Sequence, residues 1–161
     1  MGLYMHLYCN SKQLTWEVNS LMYQKEVDGR HEYAAEWFSR RGTIMYWCNA
    51  YAIHNWFVKN VQYDNDDCGT YDVEPDRLTE LLEACESVLG DHSLAEKLLP
   101  IRGRSCFGEG EYDERYFEQL EYTASAIRRI LGRIEPAEEG SWHYVLDGDP
   151  DWYVTFQYRS S

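Results

Sequence analysis

The sequence predicts an α+β fold: a small antiparallel sheet built from N-terminal strand(s) and a C-terminal hairpin, with about three longer helices packed on it. Three observations carry this. Residues 1–9 alternate, with Leu3, Met5, Leu7 and Cys9 on one side and Tyr4, His6 and Tyr8 on the other, the period of a half-buried strand. Two alternating runs at the far end, Trp142–Leu146 and Trp152–Tyr158, flank Asp147-Gly148-Asp149-Pro150-Asp151, which has the composition of a hairpin turn. Between the ends the apolar residues recur with helical spacing.

From Asn10 to Gly42 the pattern is poor. Leu14–Val18 and Leu21–Tyr23 read as short strands, and Asp28-Gly29 as a turn between strands ending near Val27 and starting near His31. The central stretch begins at Ile44. Placed on a helix, Tyr46, Trp47, Ala50, Tyr51, Ile53, His54, Phe57, Val58 and Val61 share one arc. Asn49, Asn55, Lys59, Asn60 and Gln62 face away, and Trp56 lies with them on the polar side. This predicts an amphipathic helix running into an acidic turn, Asp64-Asn65-Asp66-Asp67-Cys68-Gly69.

After a brief extended piece at Thr70–Val73, Pro75 sits where a first helical position favours it. Leu78, Leu81, Leu82, Cys85, Val88 and Leu89 form an apolar stripe that ends at Gly90. A short helix follows within His92–Pro100, then a glycine-containing loop, Ile101–Glu111. Asp113 is a suitable N-cap for a third long helix. Its stripe is Tyr116, Phe117, Leu120, Thr123, Ala124, Ile127, Ile130, Leu131 and Ile134, and Pro136 ends it. With no internal repeat and no linker composition, residues 1–161 are expected to form one domain.

Charge is the strongest compositional signal. The chain carries 28 acidic and 15 basic side chains, a net charge of −13, so nucleic acid and anionic membranes repel it while basic proteins attract it. Acidic residues recur at 64–67, 72–76, 109–114, 118–121, 135–139 and 147–151, interspersed with Tyr63, Tyr71, Tyr112, Tyr122 and Trp152. Carboxylates spread over a surface can imitate a phosphate track, and exposed aromatics supply anchors. The competing explanation is a solvated acidic face that serves solubility.

The five cysteines at 9, 48, 68, 85 and 106 are odd in number and lack a CxxC pair, so neither a disulfide framework nor a zinc site is expected. Cys48 and Cys85 fall on predicted helices. With no signal peptide or transmembrane run, a reducing cytoplasm is the expected compartment.

Four constellations could carry chemistry. His54 could act as a base or ligand if Asp66, Asp67 or Glu111 oriented it, but a core histidine bonded to backbone or Tyr is the simpler reading. Asp64, Asp66 and Gly69 match positions of a calcium loop, yet Pro75 stands where a bidentate Glu is required, so no metal is expected. Cys68 is surrounded by acids, which disfavours a thiolate. Cys106 follows Arg102 and Arg104 but has no identifiable catalytic His. Arg102, Gly103, Arg104, Ser105 and Gly108 could hold a phosphate, with Trp47 or Trp56 as a stacking surface.

Tyr46-Trp47, Ala52-Ile53-His54-Asn55-Trp56-Phe57-Val58, Asp66-Asp67-Cys68-Gly69, Leu98-Leu99-Pro100, and Phe107-Gly108 with Glu111-Tyr112-Asp113, together with the N-terminal Met1–Met5, resemble a family of uncharacterised small phage and prophage proteins. The chain departs from that pattern at Cys48–Tyr51, where basic residues would follow the Trp, and after Gly140. The resemblance implies an accessory protein of phage or prophage context and no established reaction; there is no glycine-rich phosphate loop with its Lys and Ser/Thr.

The leading expectation is therefore an acidic inhibitor, with no cofactor, of a basic host protein that handles nucleic acid. Asp64, Asp66, Asp67, Glu109, Glu111, Tyr112, Asp113 and Trp56 would form its binding surface. Two alternatives stand beside it. One is a binder that sequesters a nucleotide signal through Arg102, Arg104, Ser105 and His54, and the other is an enzyme using His54 or Cys106.

Overall fold

The N-terminal alternation becomes β1 (Tyr4–Cys9), an inner strand of a four-stranded antiparallel sheet. The computed structural model describes residues 2–23, 30–101, 111–136, 141–144 and 153–161. Strand β2 (Thr43–Cys48) lies on one side of β1 and β6 (Phe156–Ser160) on the other, with β3 (Thr70–Val73) outside β6. Register builds one apolar face: Met5 pairs with Trp47 and Ser160, Leu7 with Met45 and Tyr158, Cys9 with Phe156, and Val73 also with Phe156. Onto that face pack α3 (Tyr51–Asn60) and, through Trp47, α6 (Glu114–Leu131), with α4 (Pro75–Gly90) against α6 and the short α5 (Ala95–Leu98) after α4. The predicted α+β class holds, with strands from both chain ends in one sheet. Among the described residues no helix is long and apolar enough to cross a membrane.

Three expectations are corrected. Residues 43–48 form a strand, so the central helix starts at Tyr51 and Cys48 ends a strand. Asn49 makes the break. It adopts φ 56°, its Oδ1 accepts from Leu3 N–H at 2.7 Å, and its own N–H donates to Leu3 C=O at 2.7 Å. Asn tolerates this left-handed region better than most residues.

Residues 12–23 and 30–40 are helices, not strands: α1 (Lys12–Tyr23) and α2 (Arg30–Arg40). Ser11 caps α1 by accepting from Leu14 N–H at 3.0 Å. Its inward face mixes Leu14 and Val18 with buried Thr15 and Asn19. The Thr15 hydroxyl donates to Ser11 C=O, and Asn19 Nδ2 donates to Thr43 C=O at 2.8 Å. These polar groups hid the helical period. The predicted turn at Asp28-Gly29 lies outside the described residues.

At the C-terminus the two predicted hairpin strands join different sheets. β5 (Trp142–Tyr144) pairs with β4 (Ile134–Pro136) in a separate two-stranded ribbon, while β6 completes the main sheet. Among the described residues, Val154 N–H donates to Trp142 C=O at 2.7 Å between the two segments. Ile134 thus belongs to β4 and not to the α6 stripe. The ribbon is tied to α1 through Glu17, which pairs with Arg133 at 2.7 Å and accepts from the Tyr144 hydroxyl.

The edge strand β2 is closed by side chains. Tyr122 Oη accepts from Tyr46 N–H at 3.0 Å, Gln119 Nε2 donates to Cys48 C=O at 3.2 Å, and Asn19 serves Thr43. Groups bonded in this way are not open to pairing with another strand.

On the opposite face His6 stacks on Tyr8 and meets Tyr46, with its Nδ1 3.2 Å from the Thr43 hydroxyl. Burial first, and then the charge of Arg159 across the ladder, lowers its pKa below the usual 6.5. The unfolded chain therefore binds this proton more readily, so stability is full above the unfolded pKa and falls as pH drops below it. Urea unfolding at pH 7 and pH 5 should show this loss, and His6→Gln should flatten that part of the profile.

Candidate functional site

Helix α3 buries Ala52, Ile53, His54, Trp56 and Phe57. The helix ends where Val61 and Gln62 N–H groups both reach Phe57 C=O, at 2.8 and 2.9 Å. The acidic loop then folds back under the helix. Asp64 N–H donates to Val58 C=O at 2.9 Å, Asn65 N–H donates to Gln62 C=O at 2.9 Å, and Gln62 Nε2 donates to Asn65 C=O at 2.7 Å.

That fold-back brings Asp66 to His54. His54 Nε2 lies 3.1 Å from Asp66 Oδ2, and Nδ1 lies 2.7 Å from the hydroxyl of Tyr158 on β6. In a neutral imidazole that donates Nε2–H to the Asp66 carboxylate, Nδ1 is the acceptor and the Tyr158 hydroxyl its donor. Burial, reinforced by Asp66 and Cys68 nearby, raises the Tyr158 pKa well above 10, which keeps the proton on that hydroxyl. His54 is 3% exposed and Tyr158 0%, while the Asp66 side chain is 11% exposed. The arrangement has the order of a catalytic relay, but its terminal hydroxyl is sealed beneath Phe57, stacked at 3.9 Å. It clamps the loop to helix and sheet.

The clamped loop is strained. Tyr63, Asp64 and Cys68 all have left-handed φ, at 54°, 63° and 58°. Each such non-glycine residue costs on the order of 1 kcal/mol and persists only where its surroundings enforce it. The result is display: Tyr63 is 83% exposed at the tip, flanked by exposed Asp64. Asp67 closes the far side. Its Oδ2 accepts from the Tyr71 hydroxyl at 2.7 Å and its Oδ1 from Gly69 N–H at 2.9 Å, and these two bonds hold its carboxyl below the usual range.

No protein-family model, no curated protein and no solved structure matches this chain.

Beyond the loop, the same strand β3 leads to a cleft of about 530 Å³ whose walls include Asp72, Glu74, Trp142, Tyr153 and Gln157. Among the described residues that line it, none is basic. Loop and cleft thus continue one another along β3.

The other expected site residues divide. Glu111 and Asp113 are exposed at the start of α6, whose Arg115 reaches Cys48 C=O near the N-terminus of α3. The acidic loop sits at the C-terminus of α3, a helix about 15 Å long, so the two groups are not one cluster. Asp113 caps α6 by accepting from Tyr116 N–H at 3.0 Å, and the Tyr112 hydroxyl accepts from Ile101 N–H at 3.2 Å. Trp56 is buried at 9% exposure and packs edge-on to Phe57, so it cannot be a displayed anchor. Trp47 is likewise buried, its Nε1–H donating to Thr123 Oγ1 at 2.8 Å, so neither Trp offers a stacking surface. Arg102, Arg104, Ser105, Cys106 and Glu109 lie outside the described residues.

Of the described thiols, burial pushes Cys9 up to about 11 and Cys85 up to about 12, leaving both inert near neutral pH. Among the described residues no group of three or more His, Cys, Asp or Glu could hold a metal ion. The sequence named Asp66 as a partner for His54 and favoured a core histidine bonded to backbone or Tyr, as found, without indicating that the Tyr is Tyr158. An inward-facing Tyr on an alternating strand, which needs a partner for its hydroxyl, was the available signal.

Proposed function

We propose that this protein works by binding: a phage or prophage accessory protein that docks its acidic surface on a basic, nucleic-acid-handling host protein and blocks the nucleic-acid channel. A defence nuclease complex in the bacterial cytoplasm is the kind of target this chemistry fits. The observation that carries the reading is Tyr63, exposed at the tip of a loop that the buried His54–Asp66 pair holds in place. An aromatic anchor on a loop whose backbone is already fixed loses less entropy on binding, and the exposed Asp64 and Asp67 carboxylates of that loop steer a cationic partner towards it. The adjoining cleft supports the same reading, because Trp142 and Tyr153 beside Asp72 and Glu74 suit an arginine or lysine side chain. Catalysis is disfavoured because the His54 relay ends on a fully buried hydroxyl.

The test is a tagged pull-down from bacterial lysate at low and high salt, run with wild type, Tyr63→Ala and Asp64→Lys. A basic nucleic-acid-binding complex should be retained at low salt and displaced by added DNA or RNA. Tyr63→Ala should weaken its binding roughly 30-fold, about 2 kcal/mol, without lowering the melting temperature. Retention unaffected by both variants, or the capture of nothing that handles nucleic acid, rejects the proposal. Asp66 is left intact because its loss would disturb the fold as well as the surface.

A further inference from the structure

A groove of about 490 Å³ runs between α1 and the last turns of α6, and its chemistry is opposite to that of the rest of the molecule. Leu21 and Met22 form one wall; Ser125, Arg128, Arg129 and Arg133 form the other. In a chain of net charge −13, no carboxylate is among the described residues that line it. Ser125, Arg128, Arg129 and Gly132 stand at helical spacings of three and four, so they share one face of α6. At the end of that face Gly132 has no side chain to fill the groove.

Arginines late in a helix ordinarily serve its terminal carbonyls and its dipole. Here the backbone itself turns back on that end: Gly132 N–H reaches Arg128 C=O and Arg133 N–H reaches Ile130 C=O, both at 3.0 Å. The guanidinium groups are only partly used. Arg128 gives Nε–H to Glu86 at 3.1 Å, and Arg133 gives one terminal nitrogen to Glu17 at 2.7 Å. Each keeps further donors, because a guanidinium has five N–H groups. Arg129 makes no side-chain ion pair or hydrogen bond with a described residue and is exposed.

We propose that this groove is a binding site for a phosphate-bearing small anion. The guanidinium forks of Arg128, Arg129 and Arg133 would grip the phosphate oxygens, Ser125 would add a hydroxyl donor, and Leu21 and Met22 would meet an apolar part of the ligand. The site shares no residue with the acidic loop or the β3 cleft, so it stands independently of the protein-docking reading.

The test uses the full chain and inorganic pyrophosphate, followed by thermal unfolding and by calorimetric titration. Ionic strength is held constant with NaCl, because screening alone stabilises a strongly acidic protein. Pyrophosphate should raise the melting temperature saturably, by about 5 °C, and orthophosphate should do so less. Arg129→Ala should fold as wild type and bind at least 10-fold more weakly, with Arg129→Lys in between. Ser125→Asp, which puts a carboxylate into the groove, should abolish binding. A shift reproduced by NaCl alone, or one unchanged in Arg129→Ala and Ser125→Asp, overturns the proposal.

Discussion

His54→Ala should cost about 3 kcal/mol of unfolding free energy, much more than its single position in the chain suggests. The substitution empties buried volume, orphans the Tyr158 hydroxyl and takes the Nε2–H donor away from the largely buried Asp66 carboxylate. Tyr158→Phe removes one hydroxyl and leaves Nδ1 without its donor, so about 1–2 kcal/mol is expected. Asp66→Asn keeps an acceptor for Nε2–H but removes the charge, and should cost about 1 kcal/mol. Because the three act as one network, the double variant His54→Ala/Tyr158→Phe should fall short of the sum of the singles by about 1 kcal/mol. Urea unfolding measures all four. Additive losses would mean that the groups pack side by side without coupling, and the clamp on the loop would have to come from its backbone bonds alone.

How much of this was legible depended on which residues filled the inward faces. Helices α4 and α6 were readable because their buried positions are nearly all apolar, and the Pro75 and Asp113 start signals stand where they act. Strand β1 was readable because Met5, Leu7 and Cys9 alternate cleanly with Tyr4, His6 and Tyr8. Helix α1 was not, since Thr15 and Asn19 occupy its buried face to bond Ser11 and Thr43, and a hydrophobicity count sees them as surface residues.

The 43–48 error had another cause. Met45 and Trp47 satisfy a period of two as well as Trp47, Ala50 and Tyr51 satisfy helical spacing, and only the turn at Asn49 decides between them. At the C-terminus the alternation was real but the partner was non-local, since β6 pairs with β1 and β3 across most of the chain. For the candidate site, the acid–histidine half was visible from residue types near one another in sequence. Its tyrosine came from a strand 104 positions further on, a contact that only topology creates.

Phe57→Ala should be the most damaging single change, at about 4 kcal/mol. Phe57 is fully buried, lies flat on Tyr158 at 3.9 Å and 8°, and takes the edges of Trp47 at 5.8 Å and Trp56 at 5.2 Å. It is the point where α3, the sheet and the aromatic cluster meet. Against a total stability of roughly 5–15 kcal/mol for a domain of ordinary size, the loss leaves the folded state marginal. Phe57→Leu separates the contributions: it refills most of the volume but loses the ring contacts, so about 1.5 kcal/mol is expected. Urea midpoints should order wild type, Phe57→Leu and Phe57→Ala, with unchanged slopes showing that the unfolded state is not the cause. If Phe57→Leu were as mild as a surface change, about 0.5 kcal/mol or less, the stacking on Tyr158 would contribute nothing beyond filling space. The same residue is tied to the acidic loop through its backbone, because its carbonyl accepts the Val61 and Gln62 N–H bonds that end α3. Phe57→Leu should therefore also weaken any partner that docks on Tyr63, while leaving pyrophosphate binding in the arginine groove unchanged.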